Sequence, residues 1–183
     1  MILRDAPTGY GLVTRLLHWV MAAGIIGLFV LGWWMVELDY YSPYYTSAPQ
    51  VHKSLGMVLL VLLVARFFWR LANPRVDDSE LAPLERRLAP LVHWGFYPLM
   101  LVLMVSGYLI PTADGQPIDV FGVVSVPAVL TGDNLEDTAG LIHKYSAYVI
   151  MIVALLHTAA ALKHHFCDKS SILTRMWSGS SRV

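Results

Sequence analysis

Four runs of about 20 mostly apolar residues, at about 14–35, 51–71, 90–111 and 140–163, constrain this chain more than any other feature. Each is long enough to cross the hydrocarbon layer of a bilayer as one α-helix. Lipid offers the backbone no hydrogen-bond partners, so the polar groups of each run must be satisfied within its own helix. Residues 1–183 therefore read as a single all-α membrane domain, a four-helix transmembrane bundle. Composition agrees, since a chain that is 56% hydrophobic and only 14% charged is too apolar for an ordinary soluble domain of this length. The first run is expected to be a mature helix and not a secretory leader. It is longer than a leader's apolar core, it contains His18, and Glu37 and Asp39 follow it with no small-residue cleavage site.

Between the runs, Tyr40 to Gln50, Asn73 to Leu88 and Thr112 to Ala139 read as loops, the second carrying Pro74 and Pro83 and the third rich in Gly, Asp and Pro. Lys plus Arg and Asp plus Glu total 13 each, so no polyanion such as nucleic acid is implied, but the cations are unevenly placed. Arg4, Arg15, Arg66, Arg70, Arg75, Arg86, Arg87, Lys163, Lys169, Arg175 and Arg182 fall on one side of the predicted bundle, leaving Lys53 and Lys144 on the other. By the positive-inside rule both termini and the second loop are expected in the cytoplasm. Glu37, Asp39, Asp114, Asp119, Asp133, Glu136 and Asp137 then make the outer face acidic. Trp33, Trp34, Trp69, Trp94 and the tyrosines at 40, 41, 44 and 45 sit near the expected edges, as interfacial aromatics do.

Ionisable side chains inside membrane helices are costly and mark functional positions. His18 lies near the cytoplasmic start of the first helix, His52 at the outer start of the second and His93 near the cytoplasmic start of the third. The fourth carries both His143 and His157. The last two are 14 residues apart, about 21 Å along one helix and within roughly 40° on one face. One helix can thus serve two stacked sites. Ala147, Ile150 and Ala154 lie between them on that face, Ala161 follows, and Gly56 lies one turn after His52, so a flat macrocycle could approach the backbone. An iron held by two imidazoles from facing helices satisfies the buried nitrogens and leaves no open coordination position, which suits electron transfer. Depth pairs His52 with His143 around an outer haem. His157 takes a cytoplasmic partner around an inner one, and there His18 and His93 compete. His18 is favoured, because Arg15, one turn before it, could meet a haem propionate. His93 would then bond a propionate, a quinone carbonyl or backbone.

A lone histidine in an apolar helix is more often a satisfied polar residue than a ligand, and four at matched depths shift the balance. His164 and His165 fall beyond the fourth run beside Lys163, where solvated or headgroup roles suffice. Gly24, Gly27 and Gly32 serve close helix packing as well as cofactor clearance. Zinc is disfavoured, since no depth gathers three or four ligands with cysteine or carboxylate. Cys167 is the single cysteine and belongs to no Cys-x-x-Cys-His stretch, so haem would be held non-covalently.

Arg15-Leu-Leu-His18-Trp19, His52-Lys-Ser-Leu-Gly56, Ala65-Arg66-Phe-Phe-Trp69-Arg70, His143 with His157, His164-His165-Phe166 and the tail Leu173-Thr-Arg175-Met176 together resemble the bacterial cytochrome b561 family over nearly the whole chain. The resemblance implies four helices enclosing two haems b, with His18, His52, His143 and His157 as axial ligands and a quinone partner. It is similar in particular to small stand-alone members that oxidise periplasmic superoxide and reduce ubiquinone in the inner membrane. The acidic outer face opposes an anion. Lys53 and Lys144 each directly follow an outer histidine, however, and could form a small positive funnel there; equally, they could snorkel or neutralise propionates. The loop from Thr112 to Ala139, read as irregular, could cover that entrance.

A rival role with the same ligands is an anchor subunit relaying electrons between quinone and a hydrogenase or dehydrogenase. Short tails and loops suit a self-contained protein better, with a protein partner compatible but not required. A non-redox alternative is a transporter with histidines in a proton path.

Overall fold

A computed structural model describes residues 3–179 of the chain; Arg182, one of the basic flanking residues, lies outside them. Four long helices form: α1 (Leu12–Met35), α2 (Ser47–Leu71), α3 (Pro83–Thr112) and α4 (Leu135–Phe166). All four are long and apolar enough to cross a membrane. A short hairpin, β1 (Ile118–Val120) with β2 (Val124–Val126), stands between α3 and α4, and a seven-residue helix, α5 (Ile172–Ser178), follows α4.

The helices outrun the apolar runs for local reasons. Helix α3 starts inside the stretch expected to be loop, because Pro83 fits the first helical turn and the Glu85 carboxylate accepts the Ala82 N–H at 3.2 Å. Helix α4 starts five residues before its apolar run, with Glu136 and Asp137 in the first turn, where the helix dipole favours negative charge. It continues through Lys163, His164 and His165 in its last turn, the end that favours cations. His164 and His165 therefore extend the membrane helix instead of following it.

Helix α1 packs on α2, α2 on α3 and α3 on α4. A central layer of Met21, Leu59, Leu63, Met100, Met104 and Ile150 is the main buried core. Along α2 its members fall between His52 and Arg66, and on α4 Ile150 falls midway between His143 and His157. The apolar layer thus separates two levels of histidine. Helix α4 reaches α1 through ring contacts, including Phe29 with Tyr148.

The third loop is not irregular. Its hairpin aligns Ile118 with Val126 and Val120 with Val124, and it closes on the N-terminal end of α2. Ser54, with 0% exposure, donates to the Asp119 carbonyl at 3.3 Å and accepts the Phe121 N–H at 3.2 Å. Gln50 also donates to the Asp119 carbonyl. Tyr108 of α3 holds the following segment, donating to the Pro127 carbonyl at 2.7 Å and accepting the Val129 N–H at 2.9 Å. Ser54→Ala leaves the Phe121 N–H short of a partner, while Gln50 still serves the Asp119 carbonyl, and is expected to cost about 1–3 kcal/mol. A lowered thermal midpoint in detergent, with faster proteolysis near residues 119–126, checks this.

At the opposite end, α5 folds back on the start of α1. Arg15 donates to the Trp177 carbonyl, the Trp19 indole N–H donates to the Met176 carbonyl at 3.2 Å, and the Trp19 and Trp177 rings meet edge-on at 5.4 Å. Buried Arg175 donates to the Asp77 carbonyl at 2.7 Å and pairs with Glu80 at 3.5 Å, tying α5 to the segment before α3. Glu80 also accepts hydrogen bonds from Ser170 and Ser171, and these hold its carboxyl below the usual range.

Candidate haem-binding site

The histidines of the apolar runs gather in two groups, one at each level. At the hairpin end, His52 of α2 faces His143 of α4 with ring centroids 6.1 Å apart. At the basic end, His157 of α4 faces His18 of α1 at 6.4 Å and His93 of α3 at 5.3 Å. Depth thus groups the rings as they lie in space, His52 with His143 and His157 with both His18 and His93.

Two imidazoles bonded on opposite sides of one metal ion, at metal–nitrogen distances of about 2 Å, place their ring centroids roughly 6 Å apart. The His52–His143 and His18–His157 pairs have that span, whereas His93 stands closer to His157 than such an arrangement allows. Haem fits these residues on this test.

The surroundings of each ring differ. At His143, Nδ1 lies 2.8 Å from the Leu103 carbonyl, so it carries the ring proton and donates. The other nitrogen keeps its lone pair for a metal, the usual arrangement of a ligating histidine. The ring is also pressed against α3: a Cβ on Gly107 would lie 2.7 Å from His143 Cε1. His52 meets α1 in the same way, with a Cβ on Gly32 falling 3.1 Å from its Cε1, and its buried Nδ1 has no protein partner among the described residues. A Cβ on Gly56, one turn from His52, would touch nothing within 4 Å. Of the clearance residues expected from sequence, Gly32 and Gly56 thus flank the outer pair, while Gly24 packs against Leu59 instead. Gly107 gives no such signal in the sequence. Its nearest histidine on its own helix, His93, is 14 positions away, and its contact is with a histidine on another helix.

At the basic level, the Arg66 guanidinium lies 3.2 Å from His18 Nδ1. A guanidinium can only donate, so here Nδ1 is the acceptor and the ring proton sits on the other nitrogen; a His18 that held a metal through that nitrogen would carry its proton on Nδ1 and give up the Arg66 contact. Phe96 covers His157 edge-on at 5.8 Å. Arg15 is turned toward α5, its side chain donating to the Trp177 carbonyl, and no contact within the described residues carries it toward the His18–His157 pair. Arg66, which the sequence presents as one of several basic residues flanking the spans, is the arginine that touches a site histidine. Lys53 is half-buried and Lys144 exposed, each next in sequence to an outer-pair histidine.

Glu85, His164 and Asp168 also lie close enough together to share a metal ion. The Lys163 ammonium already bridges both carboxylates, at 2.6 Å from Glu85 and 2.9 Å from Asp168. That cluster reads as a salt-bridge network joining α3 to α4.

Comparison with known proteins adds an independent line. The family described as prokaryotic cytochrome b561 matches residues 9–179. The chain is 40% identical over 183 residues to cytochrome b561 homolog 2 of Escherichia coli (strain K12), covering 99% of this chain and 97% of that protein. It is 29% identical over 163 residues to the probable superoxide oxidase CybB of Yersinia pestis, covering 87% and 90%. With cytochrome b561 homolog 1 of Escherichia coli (strain K12), identity is 24% over 168 residues, covering 87% and 92%.

Proposed function

Because the chain belongs to the prokaryotic cytochrome b561 family, membrane electron-transfer proteins that bind b-type haem, we propose that it is a stand-alone dihaem cytochrome of the bacterial inner membrane, carrying electrons from periplasmic superoxide to ubiquinone. The carrying observation is the stack of two histidine pairs whose ring separations of 6.1 and 6.4 Å both suit a metal between them. On this reading His52 and His143 hold the outer haem and His18 and His157 the inner one. The lysine and arginine distribution supports cytoplasmic termini, which puts the His52–His143 pair toward the periplasm.

When bound, the two haems supply one-electron carriers at two depths. The chain's own residues do the rest. Leu103 fixes the His143 tautomer and ring plane, and Gly32 and Gly107 let α1 and α3 close on the outer imidazoles. The hairpin tied to Ser54 covers the outer end of α2 next to His52, favouring a small reactant over a bulky one. Lys53 and Lys144 place positive charge beside the outer pair on an otherwise acidic face, where it attracts a small anion. The relative named as a probable superoxide oxidase supports that choice of donor.

Lys53→Glu/Lys144→Glu is the direct test of the donor. The double variant should retain its haem, while the rate of haem reduction by superoxide falls at least tenfold at low ionic strength, with the gap narrowing as salt is added. An unchanged rate removes the funnel. A wild-type protein that superoxide does not reduce removes the superoxide reading altogether and leaves only membrane electron transfer.

A further inference from the structure

No residue between Asp119 and Asp133 is charged, and Phe121, Val123, Val124, Val129 and Leu130 in that stretch are all exposed, Val123 to 84%. An apolar stretch of roughly 10–14 residues is too short to span a bilayer and suits an interfacial segment. The hairpin inside it is two-faced. Side chains alternate along a strand, so the register puts Ile118, Val120, Val124 and Val126 on one face and Asp119 and Ser125 on the other. At the buried Ile118 the apolar face belongs to the protein, where β1 packs on α2 and α3; at the exposed Val124, beside the turn, it does not.

The turn itself is unusual. Phe121 and Gly122 both have positive φ, 52° and 71°, and the Val123 N–H donates to the Val120 carbonyl at 3.0 Å. Asn, Asp or Gly is the usual first central residue of such a turn, and a bulky side chain there is costly. This chain instead places an aromatic ring at that position and leaves the residue 53% exposed. A medium that takes up the ring offsets the cost.

Depth decides what that medium is. The Phe121 N–H donates to Ser54 Oγ at 3.2 Å, and Ser54 lies seven residues past the start of α2, about 10 Å along a helix long and apolar enough to cross a membrane. The turn is thus held against the flank of a spanning helix and not above its end. Exposed Val51, Leu55 and Val58 put apolar surface on α2 at the same level. Tyr108, within α3, serves the Pro127 carbonyl and the Val129 N–H. Backbone groups at this depth have little water to pair with, and side chains of the spanning helices take its place.

We propose that the hairpin tip, Phe121 to Val124, is seated in phospholipid at the boundary of headgroups and acyl chains, with Val129 and Leu130 beside it and the Asp119 and Ser125 face turned to water. Lipid on one side and Ser54 on the other then hold the hairpin over the end of α2 that carries His52.

The test uses purified holoprotein in nanodiscs of phosphatidylethanolamine and phosphatidylglycerol. Cys167, exposed and the only cysteine, is first replaced by serine. Val123→Cys, or Asp133→Cys at an exposed position beyond the apolar stretch, then takes a nitrobenzoxadiazole label, and Val124→Cys repeats the tip reading independently. Each label is quenched by acrylamide from the water or by a phospholipid carrying a nitroxide near the top of its acyl chain, and every intensity is read against the same sample without quencher. Quenching by the lipid nitroxide should be about threefold or more stronger at the two tip positions than at 133, and quenching by acrylamide weaker by a similar factor, as for side chains seated roughly 5–10 Å into the boundary. Tip labels that acrylamide reaches as freely as it reaches position 133 overturn the proposal. Tip labels shielded from both quenchers overturn it too, since a second copy of the chain or another protein then covers the hairpin.

Discussion

His157→Ala is expected to purify with one haem b per chain where two are expected of the wild type, and His143→Ala likewise. The two residual spectra should differ, because each variant keeps the opposite site. Both residues lie on α4, 14 positions apart, and each faces a partner on another helix at 6.1 or 6.4 Å. An alanine leaves one imidazole on one side of the iron, and nothing else in either pair can replace it. At the outer level the described residues bring no third histidine near. At the basic level His93 stands 5.3 Å from His157, shorter than the roughly 6 Å that two imidazoles would keep across one metal, so on the proposed assignment it does not complete the pair. Haem quantification with a reduced-minus-oxidised spectrum reads the result, and His93→Ala with two haems retained completes the assignment. Loss at His93→Ala but not at His18→Ala would move the inner ligand from α1 to α3.

Gly107→Val should be nearly as damaging to the outer site without touching a proposed ligand. A Cβ at position 107 already falls 2.7 Å from Cε1 and 2.8 Å from Nδ1 of His143. The ring cannot retreat freely, because Nδ1 is bonded to the Leu103 carbonyl one turn away at 2.8 Å. Valine must either push α3 from α4 or turn the imidazole out of its plane, and orienting contacts of this kind are worth roughly 10–100-fold in metal-site affinity. Outer-haem retention during purification should fall by that order, with the inner haem kept. Gly95→Val, at an exposed position of the same helix, is the matched control, since a Cβ there meets nothing within 4 Å and both haems should stay. Equal retention in the two variants would mean that the contact at Gly107 does not position the ligand.

The four spans, the two histidine levels and the pairing of His52 with His143 are legible in the sequence. They follow from length, hydropathy and the 14-residue interval on α4, all of which are properties of single helices. The features that stay hidden depend on one element meeting another. Ser54 reads as an ordinary small polar residue until the hairpin returns to it, and the hairpin itself hides in short strands without a long alternating pattern. Gly107 carries no local signal because its partner is on α4. Arg15 stands one turn from His18, a spacing that suggests a shared ligand, yet α5 draws its side chain away, and Arg66 from α2 takes the position beside the ring. Helices α3 and α4 begin several residues earlier than hydropathy suggests, because caps and charges extend them past the apolar stretch. The choice between His18 and His93 cannot be made from depth, which both share, and turns on ring separations of 6.4 and 5.3 Å.

The central claim is two haems, each held between two imidazoles from facing helices. Its most direct test is low-temperature electron paramagnetic resonance of the oxidised wild-type protein, with haem and protein quantified on the same sample. Two haems b per chain with two low-spin ferric signals, and no high-spin signal, is the predicted result. One haem per chain, or a high-spin signal from an iron lacking its second imidazole, would contradict it.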